Sequence, residues 1–332
     1  MLMTKIYLCR RYATSWLVYC ARPLLASCLM LIATVSHGQN LSSSGVVFGS
    51  IASGSNSLAP GDEMGGKSDT AAVHSQSDQN SEDDWVHQWL RMVDKTRSEQ
   101  PHYVAPLVTT HVLLVQQFRF DSSWQTNANG SHTDNYGNGH GLEIIPNNHL
   151  EVQIAQPPYV FNGAAPNGFG DTSLFVKYRA VSAPEGEGDY FLGAFFGASF
   201  PTGNSPNGLG HTVLSPMIAM AKGWGRFDVQ NTFSGSLPAS GTNVLGRAFL
   251  WNTAFQYSIA GKIWPMIEQN STFFSDGPHS GKKETFLTPG VVVGNFKIAE
   301  RLHLGIGGGI QIAATDFHTY NHRWMWTMRL PF

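Results

Sequence analysis

Cysteine is almost absent from this 332-residue chain, and its placement excludes several classes of protein. The three cysteines, Cys9, Cys20 and Cys28, all lie in the first 38 residues. The rest of the chain therefore has no disulfide framework and no cysteine metal site. The 13 histidines show no metal-ligand spacing on one element, since His318 and His322 flank a loop. We expect no metal and no cofactor.

Charged residues and long apolar runs are also scarce. Charged residues make up only 13% of the chain, whereas 35 residues are glycine and 12% are aromatic. Beyond the first 38 residues, no apolar run reaches the roughly 18 residues that a membrane-spanning helix needs. Low charge with many glycines and aromatics suits short strands, tight turns and a lipid-facing surface.

The first 38 residues have the pattern of a Sec signal peptide. Their basic region contains no acid and carries Lys5, Arg10, Arg11 and Arg22. The apolar run Leu24 to Val35 follows, and the small residues Ser36 and Gly38 predict cleavage after Gly38. The alternative is a lipoprotein signal at Leu25 to Cys28. Arg22 and Pro23 stand where its apolar region should be, which disfavours lipidation.

Removal of this segment leaves a weakly acidic chain. It takes away four of the 21 basic residues and leaves 17 against 23 acidic ones, a formal charge of −6. A chain of this charge is a poor partner for nucleic acid.

The last eleven residues, 322–332, alternate with the period of a strand. One face is apolar and carries Trp324, Trp326, Met328, Leu330 and Phe332. The other face is more polar and carries Arg323, Met325, Thr327, Arg329 and Pro331. Such a strand ending on phenylalanine is typical of bacterial outer-membrane barrels, with apolar residues toward lipid and polar residues toward the lumen. We expect the outer membrane of a Gram-negative-type bacterium as location, membrane lipid as a partner, and recognition of Phe332 by the barrel-assembly machinery.

Two segments separate the signal peptide from the predicted barrel. Residues 39–81 are rich in Ser, Gly, Asn and Asp without sustained periodicity, which predicts a disordered or loosely tethered periplasmic segment. Residues 82–97 predict a short amphipathic helix with an apolar face of Trp85, Val86, Trp89, Leu90 and Val93. This helix could lie on the inner leaflet, fold toward the barrel mouth or pack on the barrel end. The sequence therefore predicts three regions: the signal peptide (1–38), a periplasmic segment with the helix (39–104) and the barrel (105–332).

Residues 105–332 predict an all-β, transmembrane, up-and-down antiparallel β-barrel of about 12 strands. The predicted strands are 109–124, 140–146, 149–157, 171–183, 189–201, 211–222, 225–237, 247–260, 262–274, 284–296, 301–315 and 322–332. Long loops are expected at 125–139, 158–170, 202–210, 238–246, 275–283 and 316–321. Short turns are expected at 147–148, 184–188, 223–224, 261 and 297–300. This alternation of long and short connections places both termini in the periplasm.

The inward positions of these strands predict a polar lumen of mixed charge. The candidate lining residues are Arg119, Asp121, Glu143, Glu151, Gln153, Asp171, Lys177, Arg179, Arg226, Asp228, Gln230, Glu268 and Asn270. Opposite charges in a confined interior tend to pair. The set is thus either an ion-pair network that stiffens the barrel or a selectivity lining, and one residue can serve both roles.

Two local patterns invite an enzymatic interpretation. The glycine-rich run Gly305 to Gly309 lacks the following Lys and Ser/Thr of a phosphate loop and lies inside a strand pattern, so nucleotide binding is not expected. Its inward glycines are expected to leave lumen space or to allow a bend. No Gly-x-Ser-x-Gly elbow is present, although Ser and His from separate strands leave a hydrolase open as an alternative.

Three motifs resemble a known family. They are Gly168 to Arg179 (GFGDTSLFVKYR), Phe196 to Gly203 (FGASFPTG) and Lys222 to Gly225 (KGWG). With them, residues 105–332 resemble the MetA-pathway of phenol degradation family, a set of predicted outer-membrane barrels often described as transporters. The resemblance implies the barrel and a transport role.

A barrel of about twelve strands lies between the eight that side chains just fill and the sixteen or more of wide pores. We therefore expect a porin-like, non-enzymatic channel that passes small organic molecules, apolar or aromatic ones among them, through a narrow polar-lined lumen. The alternatives are an outer-membrane lipid hydrolase and a structural or surface-interaction barrel with a filled lumen.

Overall fold

The computed structural model describes residues 76–332, with side chains from Trp85 onward. The predicted signal peptide and the predicted loose segment up to residue 75 lie outside the described residues. A helix, α1 (Gln76–Ser98), comes first and contains the predicted helix 82–97. The prediction of a loose segment is wrong for residues 76–81, which form the start of this helix. Within residues 76–332, no helix is long and apolar enough to cross a membrane.

Fifteen strand segments follow and form one antiparallel sheet. They are β1 (Gln117–Asn127), β2 (His132–Tyr136), β3 (Gly141–Asn147), β4 (Leu150–Ala155), β5 (Tyr159–Asn162), β6 (Gly168–Phe169), β7 (Thr172–Ala183), β8 (Tyr190–Phe200), β9 (Val213–Trp224), β10 (Phe227–Pro238), β11 (Ala248–Tyr257), β12 (Ile263–Phe274), β13 (Lys283–Lys297), β14 (His303–Ala313) and β15 (Tyr320–Pro331). The connections also contain a short helix, α2 (Thr242–Leu245), and a 3-10 turn (Gly277–His279).

The fifteen segments make up twelve barrel strands, because three of the strands are interrupted. Both β2 and β3 pair with β1, and the next two strands are divided in the same way into β4 with β5 and β6 with β7. The interruptions lie side by side at 137–140, 156–158 and 170–171. Pro158 has no backbone N–H to donate, and Gly137 and Asn138 have positive φ angles, so a regular ladder cannot continue there.

The sheet closes on itself. β1 pairs with β15 from Gln117 opposite Pro331 to Asn127 opposite Tyr320, and the N–H of Phe332 donates to the carbonyl of Gln116 at 3.1 Å. Closure removes both sheet edges. The predicted antiparallel barrel of about 12 strands is confirmed.

Alternation along each strand separates an apolar outside from a polar inside. In β10, Phe227 is exposed, whereas Asp228 and Gln230 are buried. In β12, Ile267 is 55% exposed and its neighbour Glu268 is fully buried. The outward aromatic rings contact one another across strands, as Phe233 does with Phe249 and Trp251. This is the facing pattern that the sequence predicted.

Connections differ in length at the two ends of the barrel. Most of those at one end, here called the turn end, are short, such as 148–149 and 225–226. Those at the other, the loop end, are mostly longer and include 201–212 and 275–282. The predicted loops 125–139 and 158–170 are wrong in part, since they contain β2, β5 and β6. These segments contain many Asn and Gly residues, which are typical of loops, so the sequence pattern did not predict the strands.

The first predicted strand, 109–124, is also wrong at its start. β1 begins only at Gln117, and residues 100–116 form an irregular segment inside the barrel, here called the plug. Its run Val112 to Val115 is apolar at every position rather than at every second one. A strand with one face toward a polar lumen would have to alternate, whereas a segment enclosed by protein need not.

The outward surface provides a test of membrane insertion. Ile267→Lys, near the middle of β12, is expected to destabilise the barrel in lipid vesicles by about 2–4 kcal/mol, because a charge would face hydrocarbon. The measurement is chemical unfolding in vesicles. Leu209→Lys, on an exposed loop-end position, should change stability by less than about 0.5 kcal/mol. Equal effects of the two substitutions would contradict a lipid-facing β12.

Candidate functional site

The plug fills the barrel with buried side chains. Val112 and Leu113 pack on Phe191, Phe195 and Ala219 on one wall. Leu107 packs on the opposite cluster of Trp264, Met266 and Val292. The plug starts at the turn end, reaches the middle of the lumen and returns to β1. Gln100 closes this loop through hydrogen bonds with both the carbonyl (2.6 Å) and the N–H (3.1 Å) of Leu114.

One buried carboxylate binds the tip of the plug. Glu268 accepts hydrogen bonds from three consecutive backbone N–H groups, those of Leu107 (2.7 Å), Val108 (3.2 Å) and Thr109 (2.6 Å). A backbone turn inside a barrel has no strand partner, so its polar groups need side chains or water. Glu268 supplies that partner, and the three N–H groups in return stabilise a carboxylate that is fully buried.

Two buried arginines bind the plug carbonyls. Arg119 donates to Pro106 (3.3 Å) and Leu107 (3.1 Å), and Arg329 donates to Pro106 (2.8 Å) and Ala105. On the far wall, Gln230 donates to Val104 at 3.0 Å. The wall thus contributes acceptors where the plug presents N–H groups and donors where it presents carbonyls.

Several wall charges also form ion pairs with one another. Arg119 forms a bidentate ion pair with Asp121, at 3.0 and 2.7 Å, and both side chains are buried. Lys177 lies 2.7 Å from Glu151 and 3.7 Å from Glu143, and its ammonium also donates to the carbonyl of Leu113 at 3.4 Å. The lumen is therefore an ion-pair network and a plug-binding surface at once.

Helix α1 packs on the turn end of the barrel. The indole N–H of Trp89 donates to the carbonyl of Ile145 at 2.9 Å, and Arg179 donates to the carbonyls of Thr96 (3.0 Å) and Asn148 (2.6 Å). The barrel-end position is the one of the three predicted alternatives that the structure contains. Because the plug begins two residues after α1 ends, the helix holds the start of the plug in place.

Two contacts outside the strands hold the helix and the first plug residues. Arg301 donates to Asp94 at 2.6 and 3.0 Å, and these hydrogen bonds lower the pKa of Asp94, which keeps it ionised. The Tyr103 hydroxyl donates to Asp189, both to its carbonyl (2.9 Å) and to its carboxylate. Burial and this carboxylate raise the pKa of Tyr103, which keeps the hydroxyl protonated as a donor.

The predicted lining residues fall into three groups. Buried around the plug are Arg119, Asp121, Glu143, Glu151, Gln153, Lys177, Asp228, Gln230, Glu268 and Asn270. Arg179 is buried at the turn end, against α1. Asp171 and Arg226 require correction: Asp171 accepts from the N–H groups of Gly203 (2.9 Å) and Leu209 (2.8 Å) in a loop, and Arg226 is exposed in the turn 225–226. Both stand at strand ends, where alternation no longer fixes direction.

The sequence reasoning missed the plug residues and the inward arginine of the last strand. The alternation of the last strand places Arg329 on the lumen face, and Arg329 is buried there, but the candidate lining residues do not include it. For the plug, the available signal was the non-alternating run 112–115 directly before an alternating strand. Within residues 76–332, no group of three or more potential ligand side chains could hold a metal ion.

Cavities remain at the plug tip and at the turn end of the barrel. One of about 170 Å³ lies between the plug tip and the β1–β15 wall, lined by Leu107, Val108, Asp121, Asn138, His140, Arg323, Met325, Trp326 and Thr327. Two others, of about 340 and 410 Å³, lie at the turn end beside Tyr103 and beside Arg179. The larger of these two includes the exposed side chains of Val181 and Tyr190, so it opens to the outside of the barrel.

Two glycines make room for the plug. A Cβ atom at Gly290 would overlap Leu107 Cδ1, and one at Gly309 would lie 2.7 Å from the same atom. The side chain of Leu107 therefore lies against bare backbone of β13 and β14. The expectation that inward glycines of the run 305–309 leave lumen space holds at Gly309.

Comparisons with known proteins give a fold but no family. No family model matches the chain, and no curated protein matches it. The COG4313 outer membrane channel from Pseudomonas putida F1 is similar in structure, with a TM-score of 0.50, 14% identity, and coverage of 69% of this chain and 100% of that one. The NanC porin has a TM-score of 0.44 with 8% identity and coverage of 65% and 98%. The KdgM porin in complex with disordered oligogalacturonate has 0.41 with 10% identity and coverage of 65% and 99%. The resemblance to the MetA-pathway family stays a prediction.

Removal of Lys177 tests the ion-pair network. Lys177→Met is expected to reduce the free energy of unfolding by about 3–5 kcal/mol, because Glu143 and Glu151 would remain buried without a counter-ion. Combining it with Glu143→Gln and Glu151→Gln should restore most of the loss. Chemical unfolding measures both variants, and an equal loss in the two would contradict charge pairing as the cause.

Gly290→Ala tests the seating of the plug tip. The added methyl group overlaps Leu107, so we expect a loss of about 1–3 kcal/mol and faster hydrogen exchange at the amides of residues 107–109. Adding Leu107→Ala should relieve the overlap and slow the exchange again. Gly305→Ala is the matched control, because its Cβ would meet no atom closer than 3.7 Å. If hydrogen exchange at residues 107–109 is equal in Gly305→Ala and in Gly290→Ala, the contact between Gly290 and Leu107 does not hold the plug tip in place.

Proposed function

We propose that this protein is an outer-membrane channel for small organic molecules, apolar or aromatic ones among them, and that the plug controls passage through its lumen. The observation that carries the proposal is the way in which the plug is held. Its backbone is bound by wall side chains through exchangeable hydrogen bonds, notably to Glu268, Arg119 and Arg329. Such a segment can move away from the wall without loss of hydrogen bonds between the barrel strands.

The two surfaces of the wall support a membrane position. Large apolar side chains point outward and charged ones point inward, which suits a barrel in lipid and not a soluble one. The structurally similar Pseudomonas putida protein is an outer membrane channel. Location in the outer membrane, cleavage of a signal peptide after Gly38 and recognition of Phe332 by the barrel-assembly machinery belong to the same proposal.

The packing of the plug on two walls of the lumen supports control by the plug. A molecule that enters from the loop end meets the cavity of about 170 Å³ at the plug tip. To reach the turn end it must pass residues 104–116, which pack on two walls of the barrel, so the plug has to shift for each passage. The narrow space and its polar lining favour small solutes over polymers.

A structural barrel is the second candidate, and the filled lumen favours it. The plug side chains Val112 and Leu114 are fully buried, and α1 adds a further layer at the turn end. The hydrolase alternative has less support. The hydrogen bond between His211 and Ser240 (2.9 Å) is exposed at the loop end, and no carboxylate within the described residues pairs with that histidine.

Conductance of the refolded mature chain in planar bilayers tests the channel proposal. We expect small, infrequent openings for the wild type and larger conductance for the double variant Glu268→Gln, Gly290→Ala, in which the plug tip loses its charged acceptor and its space. The same variant should accelerate uptake of a small organic solute into liposomes. Gly305→Ala should behave as the wild type.

Silent bilayers for the wild type and the double variant, with folding verified by a heat-modifiable gel shift, would refute the channel and favour the structural barrel. Release of fatty acid from phospholipid vesicles, measured with and without calcium, would instead favour the hydrolase.

A further inference from the structure

The cavity at the plug tip combines an apolar side and a polar side. Leu107 and Val108 of the plug and Met325 of β15 form the apolar side. Arg323, His140 and Asn138 line the polar side, toward the loop end. A cavity of about 150 Å³ is large enough for one benzene molecule. The volume of about 170 Å³ therefore fits one ring with a small substituent.

Arg323 is the cation of this cavity that lacks a counter-ion. Its Nε donates to Gln125 at 3.0 Å, and its guanidinium lies 4.2 Å from the ring centre of Tyr320. Within residues 76–332 it forms no ion pair, in contrast to Arg119, which is matched by Asp121. A guanidinium held in place by two neighbours and without a carboxylate partner can donate hydrogen bonds to an anion.

His140 is a second polar residue of this cavity. It lies in the interruption between β2 and β3, with its Nε2 3.4 Å from Asp121. Its Nδ1 is buried and has no hydrogen-bond partner among the described residues. This atom has almost no accessible surface, so His140 lines the cavity through the rest of its ring.

Asp121 also lines the cavity and would repel an anion if its charge were unmatched. Its carboxylate instead receives hydrogen bonds from Arg119 at 2.7–3.1 Å. With that pair neutral as a unit, Arg323 leaves the cavity with an excess positive charge. The combination of size, apolar side and excess charge is specific to a small amphipathic anion.

We propose that this cavity binds a small organic carboxylate that carries one apolar or aromatic ring. The carboxylate pairs with Arg323, and the ring lies against Leu107, Val108 and Met325. The inference deepens the proposed channel function by naming a class of permeant. Binding itself does not require that the barrel conducts.

The test uses the full mature chain in lipid nanodiscs and radiolabelled benzoate in equilibrium dialysis, with empty nanodiscs as the blank. We expect saturable binding of one benzoate per chain, and benzyl alcohol, which has the ring without the charge, should compete poorly. Arg323→Gln should weaken benzoate binding about tenfold to a hundredfold, as expected for loss of a charge-assisted contact. Met325→Trp should abolish binding by filling the cavity while leaving all charges in place.

Arg247→Gln is the matched control, because Arg247 is 53% exposed and pairs with Asp276 outside the lumen. It should bind benzoate as the wild type does. Absence of saturable binding, equal binding of benzyl alcohol, or unchanged binding in both Arg323→Gln and Met325→Trp would overturn the proposal. If the barrel binds benzoate but does not conduct in bilayers, the channel proposal is refuted and the binding site is supported. If it conducts but does not bind benzoate, the binding site is refuted and the channel proposal is supported.

Discussion

The structure depends on one constraint: the backbone of a non-strand segment inside a barrel must find hydrogen-bond partners there. The wall meets it with charged side chains placed by strand alternation. Glu268 faces three N–H groups, and Arg119 and Arg329 face the carbonyls just before them. The same side chains would be unfavourable in an empty apolar core, and the same plug would be unfavourable in an apolar lumen. Plug and wall therefore specify each other.

Charge in this lumen is divided between two tasks. Lys177 with Glu143 and Glu151, and Arg119 with Asp121, neutralise one another within the wall. Glu268 and Arg329 form no ion pair within residues 76–332 and are stabilised by plug backbone. Groups of the first kind keep their ion pairs when the plug leaves, although Arg119 and Lys177 also donate to plug carbonyls. Groups of the second kind lose their partners when the plug leaves, so they set how strongly the closed state is favoured.

Strand number, facing and closure could be predicted from the sequence because they follow from a period of two, which each strand encodes locally. Ten of the lumen residues lie inside for the same reason, while Asp171 and Arg226 stand at strand ends where that period stops. The plug could not be predicted in this way. Its path is fixed by contacts between residues far apart in sequence, such as Leu107 with Gly290 and Glu268, and no local pattern encodes them. The interrupted strands could not be predicted for a related reason, because Pro158 and the glycines near it are typical of loops.

The seam between β1 and β15 bears on how the molecule assembles. It joins residues 193 to 214 positions apart, from Asn127 with Tyr320 to Gln117 with Pro331, so it can form only after the last strand has been made. Contacts of such long range form late and slowly. The plug is continuous with β1 at Gln116 and needs no threading through a finished ring. The barrel wall can form around the plug, and the pairing of β1 with β15 then encloses it.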